Sequence, residues 1–461
     1  MWGVDAAQWL ADAVAVETLL FAAIFFVLLG LDDFVVDAMW GWRTIKRHLT
    51  VYRRHRRQSL LDFPHPRRRF AILVPAWDEA SVIGAMLDTL LARLEGDLTV
   101  FVGCYPNDRA TVEAVAAVAV RDNRVVLVLG SAPGPTTKAG NLNTLWWALR
   151  REEEASGREF DAIVMHDAED LVHRGELAVF DRLLDRAHIV QLPVLPLIDR
   201  GSRWVAGHYA DEFADGHARQ LVLREALGAG LPLAGTGFAI DRRALGHLAE
   251  LRAGAPFDAE NLTEDYELGL ALAEIGAHAI FARVPTCPGG GPVAVRAHFP
   301  TSFTTAIAQK SRWMAGIAFA GLDHIGWSGS ISELWMRMRD RRASLAMVVL
   351  LMGYVAFGAW VIGALIRFAR VEPFALPQVP EPLLWATAAL ACWRLLARAA
   401  IVGQVYGWRE GLRSIPRTVV ANLIAIAAGW RALLRYLRML RGQRAEWGKT
   451  AHIFPQELPA E

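Results

Sequence analysis

The sequence predicts an α/β domain with a doubly wound, mostly parallel sheet, joined to about three membrane-spanning helices and one amphipathic interfacial helix. Between residues 67 and 320, short apolar runs alternate with stretches of helical pattern, which is typical of a parallel sheet covered by helices. Outside that region, three apolar segments approach the length of about 20 residues that a helix needs to cross a bilayer. The mean hydropathy of +0.24 is high for a soluble protein and low for a bundle of spans, which agrees with this mixture.

The alternating region predicts five buried strands with helices between them. The strands are short apolar runs at residues 70–74, 98–103, 124–129, 162–165 and 188–192. The helices that follow the first four strands are predicted at residues 80–94, 110–120, 138–151 and 175–187. Ligands bind such sheets beyond the carboxyl ends of the strands, so we expect the functional residues there.

The three predicted membrane spans differ in how polar they are. They lie at residues 18–31, 343–366 and 383–406. The first continues into Asp32, Asp33 and Asp37, which either lie at the membrane interface or face protein inside the membrane. The third carries Arg394 and Arg398, which must snorkel to the interface or form ion pairs.

Basic residues at the edges of the central region set the expected topology. Residues 43–69 contain ten Lys/Arg and one acid, and residues 337–342 contain four arginines and one acid. The positive-inside rule therefore places the α/β domain in the cytoplasm. Residues 416–441, an apolar stretch followed by arginines, predict an amphipathic helix on the cytoplasmic face. The alternative is that this stretch, rather than residues 383–406, is the returning span.

These assignments divide the chain into six segments. They are an N-terminal transmembrane helix (1–42), a basic juxtamembrane segment (43–66), the α/β domain (67–320), a basic interfacial segment (321–342), a transmembrane hairpin (343–406), and an amphipathic helix with a tail (407–461). A net charge of +1 argues against a nucleic-acid partner, although the charge is divided between basic flanks and an acidic remainder. Three widely separated cysteines without a CxxC pair predict neither a disulfide framework nor a zinc site.

Three predicted strand ends deliver carboxylates to one edge of the sheet. Glu79 follows the first strand, Asp108 follows the second, and Asp167 and Glu169 follow the fourth. Such a cluster repels itself unless a cation shares it, and oxygen ligands with a diphosphate suit Mg²⁺ or Mn²⁺. Each motif also has a plainer interpretation, as a helix start, a helix cap and an exposed acidic turn respectively.

Other motifs in the same domain are suited to bind an anion or a sugar. Lys138 opens a predicted helix, where a cation is unfavourable to the helix dipole unless it holds a nearby anion; an ordinary helix start is the alternative. Gly235, Thr236 and Gly237 precede a strand and allow close backbone approach, either to a sugar or in a simple turn.

Two helical motifs complete the candidate site. Asp265 follows Thr263 and Glu264 at a helix start, where the local pattern favours an N-cap with two first-turn acids. Gln309, Arg312 and Trp313 fall at positions i, i+3 and i+4, so they share one helix face. A cation and an indole on one face suit a diphosphate and a sugar ring, although a snorkelling pair beside the membrane has the same pattern.

The order of these motifs resembles that of the membrane-integrated family 2 glycosyltransferases, which include cellulose, chitin and hyaluronan synthases. The resemblance covers residues 67–320 and implies a GT-A-like fold. The chain is most similar to the NfrB-like (phage adsorption protein B) glycosyltransferases of the bacterial inner membrane. The stretches that carry this similarity are residues 30–34, 51–54, 103–108, 133–139, 166–170 and 447–452.

Two departures from the family pattern stand out. Glu169 occupies a position where a second aspartate is commoner, although its side chain is still an oxygen ligand. Long NfrB-like proteins carry a C-terminal cyclic-di-GMP-sensing domain. This sequence stops at Glu461, so we expect a short form without that domain.

The resemblance implies an inverting, metal-dependent enzyme whose donor is a nucleotide-diphosphate sugar, with a UDP-linked sugar favoured. It implies that Asp265 is the general base, that Asp167 contacts the phosphates and that Arg312 stabilises the leaving group. It assigns Asp167 and Glu169 to the divalent metal, Mg²⁺ or Mn²⁺. The remaining substrate-binding residues that it implies are Pro75, Ala76, Glu79, Asp108, Lys138, Gly235, Thr236, Gly237, Gln309 and Trp313.

Three functions remain open at this point. The first is a synthase that adds sugars to an exopolysaccharide and exports it, with an outer-membrane partner or a homo-oligomer completing the channel. The second is a single transfer to a lipid or other membrane acceptor, and the third is a non-catalytic membrane scaffold or phage-receptor component. The motif at residues 309–313 favours the first, the small number of spans counts against it, and the intact carboxylate set counts against the third.

Overall fold

A seven-stranded sheet forms the centre of the α/β domain in the computed structural model, which describes residues 2–442 and 453–455. The strands of this sheet and of a small second sheet are β1 (Phe70–Pro75), β2 (Leu98–Cys104), β3 (Val125–Leu129), β4 (Ala162–Met165), β5 (Ile189–Gln191), β6 (Val194–Leu197), β7 (Phe238–Asp241), β8 (Ala279–Phe281) and β9 (Val295–His298). The order in the large sheet is β3-β2-β1-β4-β7-β5-β8, and β6 pairs with β9 in a small parallel sheet. Only β7 runs antiparallel to its neighbours in the large sheet, which confirms the mostly parallel arrangement.

Helices surround this sheet and extend away from it. They are α1 (Trp2–Thr50), α2 (Ile83–Arg93), α3 (Arg109–Ala119), α4 (Lys138–Ser156), α5 (Glu176–Leu183), α6 (Val205–Asp215), α7 (Leu221–Ala226), α8 (Arg242–Leu251), α9 (Glu264–Glu274), α10 (Phe303–Met314), α11 (Gly321–Ile325), α12 (Ile331–Arg341), α13 (Ala343–Ala369), α14 (Glu381–Tyr406) and α15 (Trp408–Met439). π-Helical turns at Gly216–Gln220 and Ala315–Ala320 join α6 to α7 and α10 to α11. The sequence motif at residues 447–452 lies outside the described residues.

The sheet is buried on both faces, as its continuous apolar strands predict. Along β1, Ile72 and Val74 point to a core shared with α2, α3 and α5, whereas Ala71 and Leu73 point to a core shared with α4, α8 and α9. Every residue of β1 is fully buried. Helices on both faces make the sheet doubly wound, which confirms the predicted fold class.

Among the described residues, four helices, rather than the expected three, are long and apolar enough to cross a membrane. They are α1, α13, α14 and α15. The fourth, α15, contains the stretch predicted to lie flat on the membrane surface; its length and composition also qualify it as a span. The 49 residues of α1 extend for about 74 Å at 1.5 Å per residue. This helix is therefore much longer than the hydrocarbon core of a bilayer, which is about 30 Å thick.

Ion pairs join α1 to the rest of the molecule. We call this cluster the arginine–aspartate joint, and its members are Asp32, Asp33, Asp37, Asp215, Arg219, Arg339, Arg342 and Arg394. Asp33 lies 2.9 Å from Arg339 and 2.5 Å from Arg342, both in or next to α12. Arg394 lies 2.9 Å from Asp215. Of the alternatives for these residues, the aspartates of α1 therefore face protein, and Arg394 pairs rather than snorkels.

Candidate active site

A pocket of about 140 Å³ opens at the carboxyl ends of β1 and β4 and gathers most of the predicted site residues. The sheet contributes the residues after these strands, α4 and α9 contribute their first turns, and α10 closes the opposite wall. Eleven of the fourteen predicted site residues line it. They are Pro75, Glu79, Lys138, Asp167, Glu169, Gly235, Thr236, Asp265, Gln309, Arg312 and Trp313.

The other three predicted residues, Ala76, Asp108 and Gly237, lie outside the lining. Ala76 is fully buried. Asp108 caps α3 by accepting the Thr111 amide at 3.3 Å and also accepts the Asp78 amide at 2.5 Å, so it ties the end of β1 to the end of β2. The cap interpretation therefore describes its present contacts, and its contact with a donor base stays a prediction.

Gly237 supports the pocket from behind. Its amide donates to the carbonyl of Met165 in β4 at 2.9 Å, and its φ of +63° favours glycine. A Cβ atom there would lie 2.6 Å from Cγ2 of Val295, which is closer than side chains tolerate. The residue is thus required for strand packing, independently of any contact with a sugar.

Lys138 lies among carboxylates at the first turn of α4. Its Nζ lies 2.6 Å from Oδ1 of Asp167 and 3.5 Å from Oε1 of Glu264, and it donates to the carbonyl oxygen of Gly235 at 3.3 Å. Burial alone would lower the pKa of Lys138, but the charges of Asp167, Glu264 and Asp265 raise it far above its ordinary value. Lys138 therefore carries a permanent positive charge inside the pocket.

Asp265 has the environment of a base that works near neutral pH. Burial, followed by the charge of Glu264, raises the pKa of Asp265 to about 7. A Cβ atom on Gly235, whose φ is +79°, would lie 2.9 Å from Oδ2 of Asp265, so the backbone approaches this carboxylate as closely as only glycine permits. A buried carboxylate with such a pKa can accept a proton from a hydroxyl group.

A buried hydrogen-bond network holds the turn that carries Asp167 and Glu169. Oδ2 of Asp170 accepts the Asp167 amide at 2.8 Å and the hydroxyl of Thr236. His166 lies between two carboxylates, with Nδ1 at 3.1 Å from Asp170 and Nε2 at 2.8 Å from Glu176. Burial opposes its charge, but the two carboxylates raise the pKa of His166 to about 10, so it is an imidazolium ion.

This network was only half visible in the sequence. At the start of the motif 166–170 the sequence predicts His166 as a packing or hydrogen-bonding residue rather than a metal ligand, and its buried contacts agree. The parts played by Asp170 and Glu176 were missed. Asp170 at least lies within the acidic stretch 166–170, whereas no local pattern connects Glu176, ten residues away and on α5, with His166.

The helix α10 supplies the wall opposite the sheet. Trp313 packs in an aromatic cluster, with ring centroids 6.0 Å from Tyr209, 6.3 Å from Phe213 and 6.4 Å from Phe299. Phe213, which sequence reasoning missed, and Phe299 also line the pocket. The buried Oε1 atom of Gln309 accepts no hydrogen bond from any described residue, so it can receive one from a ligand hydroxyl. Aromatic faces beside polar groups suit the binding of a sugar ring.

The donor set fits a divalent cation that a substrate helps to hold. Asp167 and Glu169 both face the pocket, and no group of three or more His, Cys, Asp or Glu side chains arranged to hold a metal occurs within the described part of the chain. Mg²⁺ and similar ions bind through one or two carboxylates together with substrate phosphates, so two protein ligands suffice. The surplus of carboxylates over Lys138 and Arg312 in the pocket favours an added cation.

The chain is similar in sequence to two curated bacterial proteins. Bacteriophage adsorption protein B of Escherichia coli K12 and bacteriophage N4 adsorption protein B of Escherichia coli O157:H7 are each 35% identical to this protein over 486 residues, covering 97% of the chain. The chain spans 64% of the length of these relatives.

Solved structures show the same fold. The mannosyltransferase PcManGT from Pyrobaculum calidifontis, solved in complex with GDP-mannose and Mn²⁺, has a TM-score of 0.53 at 18% identity and covers 92% of this chain and 99% of its own. That likeness supports the GT-A-like fold. A family model described as glycosyltransferase like family 2 matches residues 66–316. Because this match covers more than half of the chain, including the whole pocket, the protein belongs to the family 2 glycosyltransferases.

Proposed function

We propose that this protein is an inverting, metal-dependent glycosyltransferase that moves a sugar from a UDP-linked donor to a growing exopolysaccharide. The observation that carries the proposal is the single pocket in which Asp167 and Glu169 face Asp265 and the Arg312–Trp313 wall. Carboxylates for a metal, a base with a raised pKa and an aromatic surface are the three parts that sugar transfer from a diphosphate requires.

The residues of the pocket have complementary parts in the reaction. Asp265 takes the proton from the acceptor hydroxyl while that oxygen bonds to the anomeric carbon from the face opposite the leaving diphosphate. The bond from the anomeric carbon to the diphosphate oxygen breaks, and the configuration inverts. Lys138 and Arg312 place fixed positive charge where the leaving group becomes negative. Mg²⁺ or Mn²⁺ held by Asp167 and Glu169 would neutralise the departing diphosphate.

We assign the aromatic wall of the pocket, which includes Trp313, to the acceptor sugar, and this wall adjoins helices that could cross a membrane. Trp313 of α10 belongs to an apolar cluster that also contains Ile424 and Val420 of α15. The wall assigned to the acceptor therefore packs directly against a candidate span. This contact supports export of the product through a multi-pass protein of the bacterial inner membrane, with the catalytic domain in the cytoplasm and an outer-membrane partner or a second copy extending the path.

Donor use and product length test the proposal together. The full-length protein in nanodiscs is offered a panel of UDP- and GDP-sugars with Mg²⁺ or Mn²⁺, and release of the nucleoside diphosphate is measured. We expect turnover with one UDP-sugar and a radiolabelled product of high mass on a carbohydrate gel. A product carrying one added sugar would support transfer to a lipid or membrane acceptor instead, and turnover with no donor would support a non-catalytic scaffold.

The metal assignment has its own test. Glu169→Ala removes one of the two proposed ligands, so metal-stimulated release of the nucleoside diphosphate should be abolished. Glu250→Ala, which removes an exposed glutamate of α8, is the matched control and should behave as wild type. Metal dependence that is unchanged in Glu169→Ala would contradict the assignment.

A further inference from the structure

A strongly basic groove lies between the far end of α1 and the edge strand β8, and it shares no lining residue with the active pocket. Its volume is about 1310 Å³. Seven arginines line it, of which Arg56 pairs with Asp62; we call it the basic groove and define it by the other six. They are Arg43, Arg47, Arg54, Arg57, Arg186 and Arg283. Glu225 is the one acidic residue among the described lining residues.

Most of the positive charge of the basic groove is not neutralised by the protein, although Glu225 attracts Arg43 and Arg47 without forming an ion pair. Within residues 2–442 and 453–455, none of the six arginines forms an ion pair with a carboxylate. Two of them bond only to backbone, since Arg57 donates to the carbonyl of Arg283 at 2.6 Å and Arg283 donates to that of Ala218 at 3.2 Å. Burial, together with the charge of Arg57, lowers the pKa of Arg283, as expected where like charges crowd. An external anion would relieve this repulsion.

The basic groove opens where the candidate membrane helices end. Trp40 of α1 lines it and donates its indole N–H to the carbonyl of Ala218 at 3.1 Å, which fixes α1 to the α/β domain at this level. Gln404, in the last turn of α14, also lines it. Since α1 and α14 are both candidate spans, a membrane that they cross would end beside the groove, on the side of the α/β domain.

The part of α1 beside the groove has the pattern of a membrane-surface helix. Trp42, Ile45 and Leu49 are 69%, 55% and 60% exposed, and their i, i+3, i+7 spacing places them on one face. Arg43 and Arg47 occupy a different face, which borders the groove. An exposed apolar face next to a basic one is typical of helices that lie in the headgroup region of a bilayer.

We propose that the basic groove binds the phosphate headgroups of anionic phospholipids and thereby anchors the α/β domain to the membrane surface. Guanidinium groups bind phosphate oxygens through two parallel hydrogen bonds, which suits arginine better than lysine for this purpose. Basic segments next to membrane spans are attracted to the negatively charged leaflet. The exposed face of Trp42, Ile45 and Leu49 would enter the same leaflet beside the bound headgroups.

The test counts phosphatidylglycerol molecules bound to the full-length protein in neutral detergent, by native mass spectrometry during a lipid titration. The variant Arg47→Gln/Arg54→Gln/Arg186→Gln should bind this lipid roughly 100-fold more weakly, at about fivefold for each basic residue near a membrane surface. The control Arg109→Gln/Arg121→Gln/Arg158→Gln removes the same charge from exposed positions outside the groove and should bind as wild type does. Equal weakening in both triple variants would overturn the proposal.

Further arms separate the lipid from other ligands and from loss of fold. Phosphatidylcholine and inorganic phosphate should neither bind measurably nor displace phosphatidylglycerol; displacement by inorganic phosphate at equal concentration would make the groove a free-anion site and refute lipid binding. Arg→Lys at the same three positions keeps the charge but loses the paired hydrogen bonds, so its affinity should lie between those of wild type and the glutamine variant; a loss as large as that of the glutamine variant would also refute the proposal. Monodisperse elution of each variant from a size-exclusion column verifies that it is folded. If the triple variant aggregates, the three single glutamine variants decide the question, since each should bind phosphatidylglycerol about fivefold more weakly than wild type.

Discussion

The active pocket and the arginine–aspartate joint are built from the same residue types but use charge in opposite ways. Six carboxylates and two strongly basic side chains, Lys138 and Arg312, line the pocket, so negative charge is in excess around a cavity. In the joint, four aspartates meet four arginines and the side chains enclose one another. The first arrangement leaves a place for a cation and a ligand, whereas the second leaves none.

The basic groove extends this comparison, because excess positive charge lines its cavity, whereas excess negative charge lines the active pocket. Six of the seven arginines that line the groove form no ion pair with a carboxylate of the described residues, and in the pocket the carboxylates outnumber the cations. A net charge of one sign beside a cavity favours a ligand of opposite charge. Charge that is paired within the protein indicates a structural contact, here between α1, α12 and α14.

The largest effect is expected on the rate of sugar transfer, after a change in the active pocket. Asp265→Asn keeps the shape of the side chain but removes the base, so the rate of sugar transfer should fall by about 10²–10⁴-fold. The matched control is Asp88→Asn, which changes an exposed aspartate of α2 and should leave the rate unchanged. Transfer by Asp265→Asn at the wild-type rate would refute the assignment of the base.

Removing an arginine of the arginine–aspartate joint should instead lower the stability of the protein. Arg339→Ala removes one of the two arginines that pair with both Asp32 and Asp33 and leaves Arg342 as their close partner, so the lost charged hydrogen bonds should cost about 1–3 kcal/mol. The midpoint of thermal unfolding in detergent should drop, while Arg121→Ala, which breaks an exposed ion pair with Asp88, should leave it unchanged. If both variants melt at the wild-type temperature, the joint is not what holds α1 in place.

The difference between local and distant information decides how much of this molecule is predictable from sequence. The strands of the sheet are continuous apolar runs, and the side chains of Asp108 and Thr137 cap the first turns of α3 and α4. The alternation of strands and helices could therefore be predicted from local sequence. The pocket followed because parallel strands deliver their ends to one edge. Eleven predicted residues meet there even though Glu79 and Trp313 lie far apart in the chain.

Ion pairs and strand pairs between distant segments could not be predicted from the sequence in the same way. Asp33 and Arg342 are 309 residues apart, and nothing in either local sequence specifies the other as its partner. The insertion of β7, antiparallel, between β4 and β5 is likewise decided by packing of distant segments. The span count differs for another reason, since α15 combines arginines with an apolar stretch and satisfies both a surface and a spanning pattern.

A smaller effect, in the pH profile, would sharpen the contrast between the two charged regions. Because burial and Glu264 raise the pKa of Asp265 to about 7, the base is protonated and inactive below that pH. We expect kcat/KM, measured at saturating metal, to fall about tenfold per pH unit below 7 and to level off above it. The residual activity of Asp265→Asn should lack this dependence, and a wild-type profile that stays flat from pH 5 to 8 would contradict the raised pKa.

The smallest effect concerns the stability of the pocket itself, and it has the opposite sign to that in the joint. In the unfolded chain Asp265 ionises near pH 3.8, whereas in the fold its pKa is about 7, so the folded state loses stability as the pH rises between these values. Asp265→Asn avoids this loss. The variant should therefore melt above wild type at pH 8, by about 2–4 °C per kcal/mol gained, and close to wild type at pH 4. Asp88→Asn should show no such difference. A lower melting temperature for Asp265→Asn at pH 8 would mean that the carboxylate stabilises the fold, and that the excess charge of the pocket is structural after all.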